Sequence, residues 1–206
     1  MKRGILVVVS GFSGAGKGTL MKNLLLQHND YALSISATTR KPRSGEEEGR
    51  EYFFKTKEEF ETMIENGDLI EYANYVGNYY GTPKDYVEDK LSQGKDVILE
   101  IELQGALKVK ERFPKTLLLF VIPPSVSELK KRLIGRGTES EEVINARINR
   151  AKEESKYIKD YDYLIVNDDL NICTNELHQI IQNEHYRVNR NDEFVNQVID
   201  ELNRYK

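Results

Sequence analysis

The chain of 206 residues has a single cysteine, Cys173, and no apolar run near the ~18 residues that a membrane span needs. One thiol cannot build an internal disulfide framework or a cysteine-rich zinc site, and it fits a reducing compartment. Its neighbours read as those of a small, partly buried core residue. Histidine is also scarce, at three residues. His28, His178 and His185 fall on expected helices without a ligand-like pairing, so they read as surface or packing residues and no zinc site is expected. Positive charge does not predominate either. With 30 Lys and Arg against 34 Asp and Glu, the net charge is −4 and the pI about 5.6. A nucleic-acid surface, whose footprint is a strongly basic face, is not expected, so any polyanion bound should be small and held locally. Met1-Lys2-Arg3 runs straight into an apolar stretch without a cleavable leader, which makes the cytoplasm the expected location. A hydrophobic content of 39% over this length supports one well-buried core and is short for two, so a single compact unit with inserted lobes is expected.

What the chain does have is concentrated at its start. An aliphatic run from Ile5 to Val9 ends in Gly11-Phe12-Ser13-Gly14-Ala15-Gly16-Lys17-Gly18-Thr19 and turns helical at Leu20. Strand, glycine-rich turn, lysine and helix in that order describe a phosphate-binding loop. The glycines let backbone N–H groups approach phosphate oxygens, the helix presents its positive end, and Lys17 adds a charge near the β- and γ-phosphates. Gly18 stands where the Mg²⁺-holding Ser or Thr is usual, and the hydroxyl comes one place later at Thr19. The bland alternative is a flexible glycine turn before an ordinary helix.

Beyond the loop, short apolar strands alternate with helices, the signature of a mostly parallel sheet covered on both faces. Ala32–Ser36, Val97–Ile101, Leu117–Ile122 and Tyr163–Val166 join the first run as a five-stranded candidate. Residues 40–82 break the rhythm: they are charged, rich in Tyr and Gly, with a short helix near Glu58–Glu65 and a hairpin turn at Gly77-Asn78. They read as a lobe inserted over the carboxyl edge, where such sheets bind ligands. Leu129–Lys156 is helical in character and carries Arg132, Arg136, Arg147 and Arg150. Ser125-Val126-Ser127-Glu128 and Thr138-Glu139-Ser140-Glu141 both read as capping boxes, with Gly135-Arg136-Gly137 as a joint between two helices. A glycine-flanked arginine there suits a closing lid. The same arginines also read as surface charges paired i,i+4 with glutamates.

The inserted lobe holds a second constellation. Arg40-Lys41-Pro42-Arg43 puts three cations in four residues, Pro42 keeps them extended, and guanidinium groups suit a bidentate grip on phosphate. Downstream, Tyr52, Glu71, Tyr80 and Thr82 mix hydroxyls and a carboxylate with aromatic rings, which suits a nucleobase. Taken singly, tyrosines on a hairpin are usually packing residues and a glutamate is usually solvated.

Together, Gly11–Lys17, Ser34–Arg43, Gly45-Glu46, Gly49, Tyr52-Phe53-Phe54, Gly77–Thr82, Gln104-Gly105, Pro123-Pro124-Ser125, Arg136–Glu139 and Val166-Asn167-Asp168 closely resemble the guanylate kinases, in order, from about residue 5 to 182. The resemblance implies a three-layer α/β/α fold of the P-loop class with a mostly parallel five-stranded core sheet. It divides one domain into a core of about 1–35, 83–124 and 157–182, a GMP-binding lobe of about 36–82 and a helical lid of about 125–156. It implies reversible phosphoryl transfer from ATP to GMP, with Mg²⁺ as cofactor and ATP and GMP as the small-molecule partners. Lys17, Arg43, Arg136 and Arg147 take the catalytic places. Gly11, Phe12, Ser13, Gly14, Ala15, Gly16, Lys17, Gly18, Thr19, Asn167 and Asp168 take those around ATP. Ser36, Arg40, Arg43, Tyr52 and Tyr80 match the contacts to the GMP phosphate, and Glu71 and Thr82 those to guanine, with Glu102 assisting. Relatives often carry an Asp-x-Asp pair where this chain has Glu100-Ile101-Glu102, so no firm direct metal ligand is assigned and Glu100 is expected to act through water. The competing readings are an inactive module of the same fold that binds protein, which tends to lose the loop or lid cations present here, and a kinase for another nucleoside monophosphate, against which Glu71 and Thr82 argue. The tail from His185 to Lys206 extends past the resemblance with Phe194, Val195, Val198, Ile199 and Leu202 at helical spacing, an expected amphipathic helix on the core or on a second subunit. Monomer and homodimer are both compatible with the sequence.

Overall fold

The aliphatic run near the amino terminus forms β1 (Leu6–Gly11), in which Val7, Val8 and Val9 are fully buried, and the glycine-rich turn delivers the chain into α1 (Lys17–Gln27). The computed structural model describes residues 3–75, 77–135 and 140–205, with only the backbone of Tyr75. The first helix starts three residues before Leu20, whose N–H already donates to the Gly16 carbonyl at 3.0 Å. There follow β2 (Tyr31–Leu33), β3 (Ser36–Thr38), β4 (Tyr52–Phe54), α2 (Lys57–Asn66), β5 (Leu69–Tyr75), β6 (Asn78–Pro83), α3 (Lys84–Ser92) and β7 (Asp96–Glu100). Then come α4 (Leu103–Arg112), β8 (Leu117–Ile122), α5 (Val126–Ile134), α6 (Glu141–Glu154), β9 (Tyr163–Val166), α7 (Leu170–Glu184) and α8 (Asp192–Arg204).

Five strands form a wholly parallel sheet in the order β2-β7-β1-β8-β9. Alternate side chains of each strand point to opposite faces, so both faces must be covered by helices. Val7, Val9, Leu117, Leu119 and Val121 pack against Leu20, Met21 and Leu24 of α1 and Cys173, Leu177 and Ile181 of α7. On the other face Val8, Val97, Leu99 and Leu118 meet Val87 and Leu91 of α3 and Ala106 and Val109 of α4. The three-layer α/β/α expectation and its five core strands are found in this arrangement.

The segment Ala32–Ser36 does not stay in one strand. Tyr31–Leu33 pairs with β7, whereas Ser36–Thr38 enters a second sheet of order β4-β3-β6-β5. There β3 runs parallel to β4 and antiparallel to β6, and β5 and β6 form the expected hairpin. Asn78, which the sequence puts in the turn, already pairs with Tyr75. A parallel pair needs a long connection, and the one from β3 to β4 carries Arg40 and Arg43. Helix α2 starts at a complete capping box, Thr56 with Glu59, and buries Phe60 among Ala37 and Leu69 with Phe53, Met63, Ile64 and Tyr79 around them.

Ser125 caps α5 by accepting from the Glu128 N–H at 3.1 Å, but the Glu128 carboxylate turns to Arg132 at 3.0 Å instead of returning to the cap. Helix α6 begins at Glu141 after Ser140, with no side-chain cap bond. Arg136, Gly137, Thr138 and Glu139, and with them the joint and most of the second capping box, lie outside the described residues. The tail helix α8 forms as its periodicity predicts, yet none of its residues is buried, and Phe194 and Leu202 are 65% and 67% exposed. Two of the histidines do meet: the rings of His28 and His178 stack with centroids 3.7 Å apart, and the Tyr31 hydroxyl lies 2.7 Å from His178 Nδ1. His185 sits 2.9 Å from the buried Asp96 carboxylate. Cys173 is fully buried rather than partly so, and burial pushes its thiol up to about 11. No helix among the described residues is long and apolar enough to cross a membrane.

Candidate active site

The glycine-rich loop leaves β1 at the carboxyl edge of the parallel sheet. Gly16 ends it with φ 88°, in the left-handed region, and a Cβ there would stand 2.6 Å from Asn167 Nδ2, so both backbone and space require glycine. Asn167 is itself buried. Its Nδ2 donates to the Ala15 carbonyl at 2.8 Å, so its side chain braces the loop. Asp168, beside it, is exposed. Lys17 Nζ donates to the Gly11 carbonyl at 2.7 Å and to that of Phe12 at 3.3 Å, which holds the ammonium over the loop. Arg147, from α6, donates to the Ser13 hydroxyl, and Arg132, from α5, donates to the Asn167 carbonyl at 2.9 Å. Two helices thus bring guanidinium groups to the loop.

A cavity of about 340 Å³ opens here, lined by Ser13, Gly14, Gly16, Lys17, Gly18, Thr19, Lys22 and Glu100. Glu100, last in β7, keeps access to solvent, but partial burial of its carboxyl raises the pKa, with the Lys17 charge acting the other way. A carboxylate, a threonine hydroxyl and two ammonium groups converge on one small cavity, a donor set for a polyphosphate with a hard cation.

The second cluster lies on the four-stranded sheet. Leu69 pairs with Pro83 and Tyr72 with Gly81, so Ile70 and Glu71 together oppose Thr82. This bulge re-aims consecutive side chains. Leu69 packs with Phe60, Ile70 packs into the main core, and Glu71 turns toward Thr82, whose hydroxyl donates to Oε1 at 2.7 Å. Gly81 lets the strands close at the bulge, since a Cβ there would come within 2.8 Å of the Glu71 carbonyl and 3.0 Å of Phe60 Cζ. Burial raises the Glu71 pKa, partly offset by the Thr82 hydrogen bond and the Lys108 charge. A methyl group on Gly105, in the first turn of α4, would stand 3.5 Å from Glu71 Oε2. The β7–α4 segment therefore touches both clusters, with Glu100 at the loop cavity and Gly105 at Glu71.

Arg40, Tyr52 and Tyr80 come together as the sequence suggests. The Arg40 guanidinium lies 5.2 Å from the Tyr52 ring centre, and the Tyr52 and Tyr80 rings are 6.0 Å apart. Ser36 is opposite Tyr52 in the β3–β4 register. Arg43 is exposed next to them. One residue of this group had no role in the sequence reading. Glu46 accepts from Arg40 Nη2 at 2.9 Å with both oxygens, and from the Arg43 N–H at 2.8 Å. Hydrogen bonding to Arg40 holds its carboxyl below the usual range. The spacing Arg40-x5-Glu46 is a weak signal, and only the turn between them makes it a pair. Glu102 is exposed and hydrogen-bonds Arg150. Arg136 lies outside the described residues.

A larger cleft, about 710 Å³, lies at the opposite, amino-terminal edge of the sheet, between Gly4–Leu6, Thr116 and Phe194. Its cations are committed, Arg3 to Glu88, Lys115 to Asp192 and Arg190 to Glu184, and His185 is hydrogen-bonded to Asp96. The chemistry described above gathers at the other edge.

Comparison with known proteins gives one consistent result. The guanylate kinase family model matches residues 3–184. A guanylate kinase of Lactococcus lactis is 50% identical over 201 residues, covering 98% of both chains. One of Bacillus cereus is 53% identical over 191 residues, covering 92% of this chain and 93% of its own. The crystal structure of guanylate kinase from Anaplasma phagocytophilum superposes with a TM-score of 0.70 at 33% identity, covering 92% of this chain and 90% of that one.

Proposed function

The chain belongs to the guanylate kinase family, and from that premise we propose that it moves the γ-phosphoryl group of ATP reversibly to GMP, giving ADP and GDP. The observation that carries the choice of acceptor is the partly buried Glu71 carboxylate, held by Thr82 at the bulge. An ionised carboxylate only accepts, which matches the N1–H and amino donors of guanine and finds no such pair on adenine. A wrong base leaves these groups unpaired, which is a strong ground for rejection. Arg40, Arg43, Ser36, Tyr52 and Tyr80 take the GMP phosphate, with Glu46 holding Arg40 in its approach.

Gly11 to Thr19 and Lys17 take the ATP phosphates, and Asn167 and Asp168 flank the nucleotide. The buried bond from Asn167 to Ala15 supports a role for that side chain in keeping the loop in shape. Arg147 and Arg136, with Arg43 from the acceptor side, gather on the transferring group. Its transition state needs alignment and charge neutralisation rather than a covalent intermediate. Mg²⁺ supplies further neutralisation of the β- and γ-phosphates when bound. Glu100, through water, and Thr19 would hold it, since both line the loop cavity and Gly18 offers no hydroxyl. The helices α5 and α6 act as a lid that excludes water, supported by the reach of Arg147 to the loop and of Arg132 to Asn167, which braces it. A cytoplasmic location suits the lone reduced thiol.

The test is ADP release from Mg·ATP with GMP, AMP, UMP or CMP offered in turn, for the wild type and Lys17→Ala. Turnover with GMP alone, lost in the variant, is the expected outcome. Equal turnover with AMP would overturn the reading of Glu71, and GMP binding without turnover would overturn the kinase.

A further inference from the structure

Helix α6 carries a second arginine that does not reach the loop. Arg150, three residues beyond Arg147, bridges two carboxylates: Nε donates to Glu154 Oε1 at 3.0 Å and Nη2 to Glu102 Oε2 at 2.7 Å. Glu154 lies one turn along the same helix, so that bond is local. The bond to Glu102 spans 48 positions and joins α6 to the start of α4. One helix thus touches the phosphate loop through Arg147 and the β7–α4 segment through Arg150.

Glu102 occupies the N-cap position of α4 but makes no side-chain cap bond, and its side chain is 72% exposed. No cap bond to its own helix fixes its rotamer, and glutamate is among the side chains that lose most freedom when fixed. We propose that Arg150 is a positioning residue for base recognition. Aligned by Glu154, its guanidinium holds Glu102 through one carboxylate oxygen and leaves the other to accept from the exocyclic 2-amino group of guanine. The inference rests on the reading of Glu102 as an auxiliary guanine contact. Two separate donors on one planar group make the bridge, which a lysine ammonium on a flexible stem reproduces only in part. The pair is exposed, so its influence should be modest and should shrink as salt rises.

The experiment compares GMP with inosine 5′-monophosphate, which lacks only the 2-amino group, as acceptors for the wild type, Arg150→Ala, Arg150→Lys, Glu102→Ala and the double alanine variant, each checked for an unchanged melting transition. Arg150→Ala is expected to raise KM for GMP about 2- to 5-fold, to reduce the preference for GMP over the inosine nucleotide by the same factor, and to leave the loss on KM rather than kcat. Arg150→Lys should recover part of that preference, and the double variant should be no worse than Glu102→Ala. A lowered kcat for both acceptors alike, or an unchanged preference in Arg150→Ala while Glu102→Ala loses it, would overturn the role of Arg150. An unchanged preference in Glu102→Ala would overturn the reading of Glu102 itself, and this inference with it.

Discussion

In the five-stranded sheet β1, β7 and β8 are five or six residues long and aliphatic, buried on both faces by four helices. In the four-stranded sheet β3 and β4 are three residues long, and the inner cluster is only Ala37, Phe60 and Leu69 with four half-buried neighbours. The first sheet holds its loop against a large core. The second has little apolar area to hold it, and devotes Tyr52, Tyr80, Glu71 and Thr82 to polar contacts. On the function proposed above, the difference teaches that the general part of the chemistry, grip on a triphosphate, would sit on the layer with the larger core, and discrimination on the layer with less apolar area to hold it. Opening and closing that layer is compatible with admitting an acceptor.

The comparison is broken most severely by truncating one aromatic in each layer. Phe120→Ala and Phe60→Ala should each cost about 3–5 kcal/mol locally, but with different reach. Phe120→Ala should lower the melting temperature of the whole chain. Phe60→Ala should leave the parallel sheet protected in hydrogen exchange while amides of β3 to β6 exchange faster and GMP affinity falls. Uniform loss of protection in both variants would mean the two sheets open together.

Next in size is Lys17→Ala, which should lower kcat about 10²–10³-fold with the fold intact by circular dichroism. Glu71→Gln should weaken GMP by about 10²-fold and leave KM for ATP nearly unchanged; equal losses for the two nucleotides would remove Glu71 from base reading. The smallest effect is a pH dependence. The Glu71 pKa is raised, so as pH falls protonation sets in above the usual glutamate range and removes an acceptor. KM for GMP should therefore climb on acidification, with Glu71→Gln following a flatter profile set by the phosphate alone. The stability term has the opposite sense: a raised carboxyl pKa favours the folded state as pH falls toward the unfolded value and lessens stability as pH rises through the folded one.

Much of the five-stranded layer was legible, because aliphatic runs of five or six residues with a glycine-lysine turn between strand and helix leave a periodic trace. Strands β3 and β4 were not. Three residues show no period, and Ser36 gave no sign that the chain changes sheet between Leu33 and Ser36. The bulge at Ile70 and Glu71 is also silent in sequence, although it explains how adjacent residues serve the core and the site. The cation cluster at Arg40 and Arg43 was readable as composition, while its partner Glu46 needed the turn to bring it back. Asn167 was legible as a motif residue, but its bond to Ala15 depends on a close approach of segments 152 positions apart.

Cys173 turns the architecture into its own recorder. Buried on α7 against α1 and the parallel sheet, with its thiol pushed up to about 11, it is almost wholly in the unreactive protonated form at neutral pH. Each reaction with a thiol-specific dye therefore requires an excursion that exposes this side of the core. Since α1 also begins at Lys17, a nucleotide seated on the loop should slow that clock, which makes the dye a gauge of occupancy that requires no turnover.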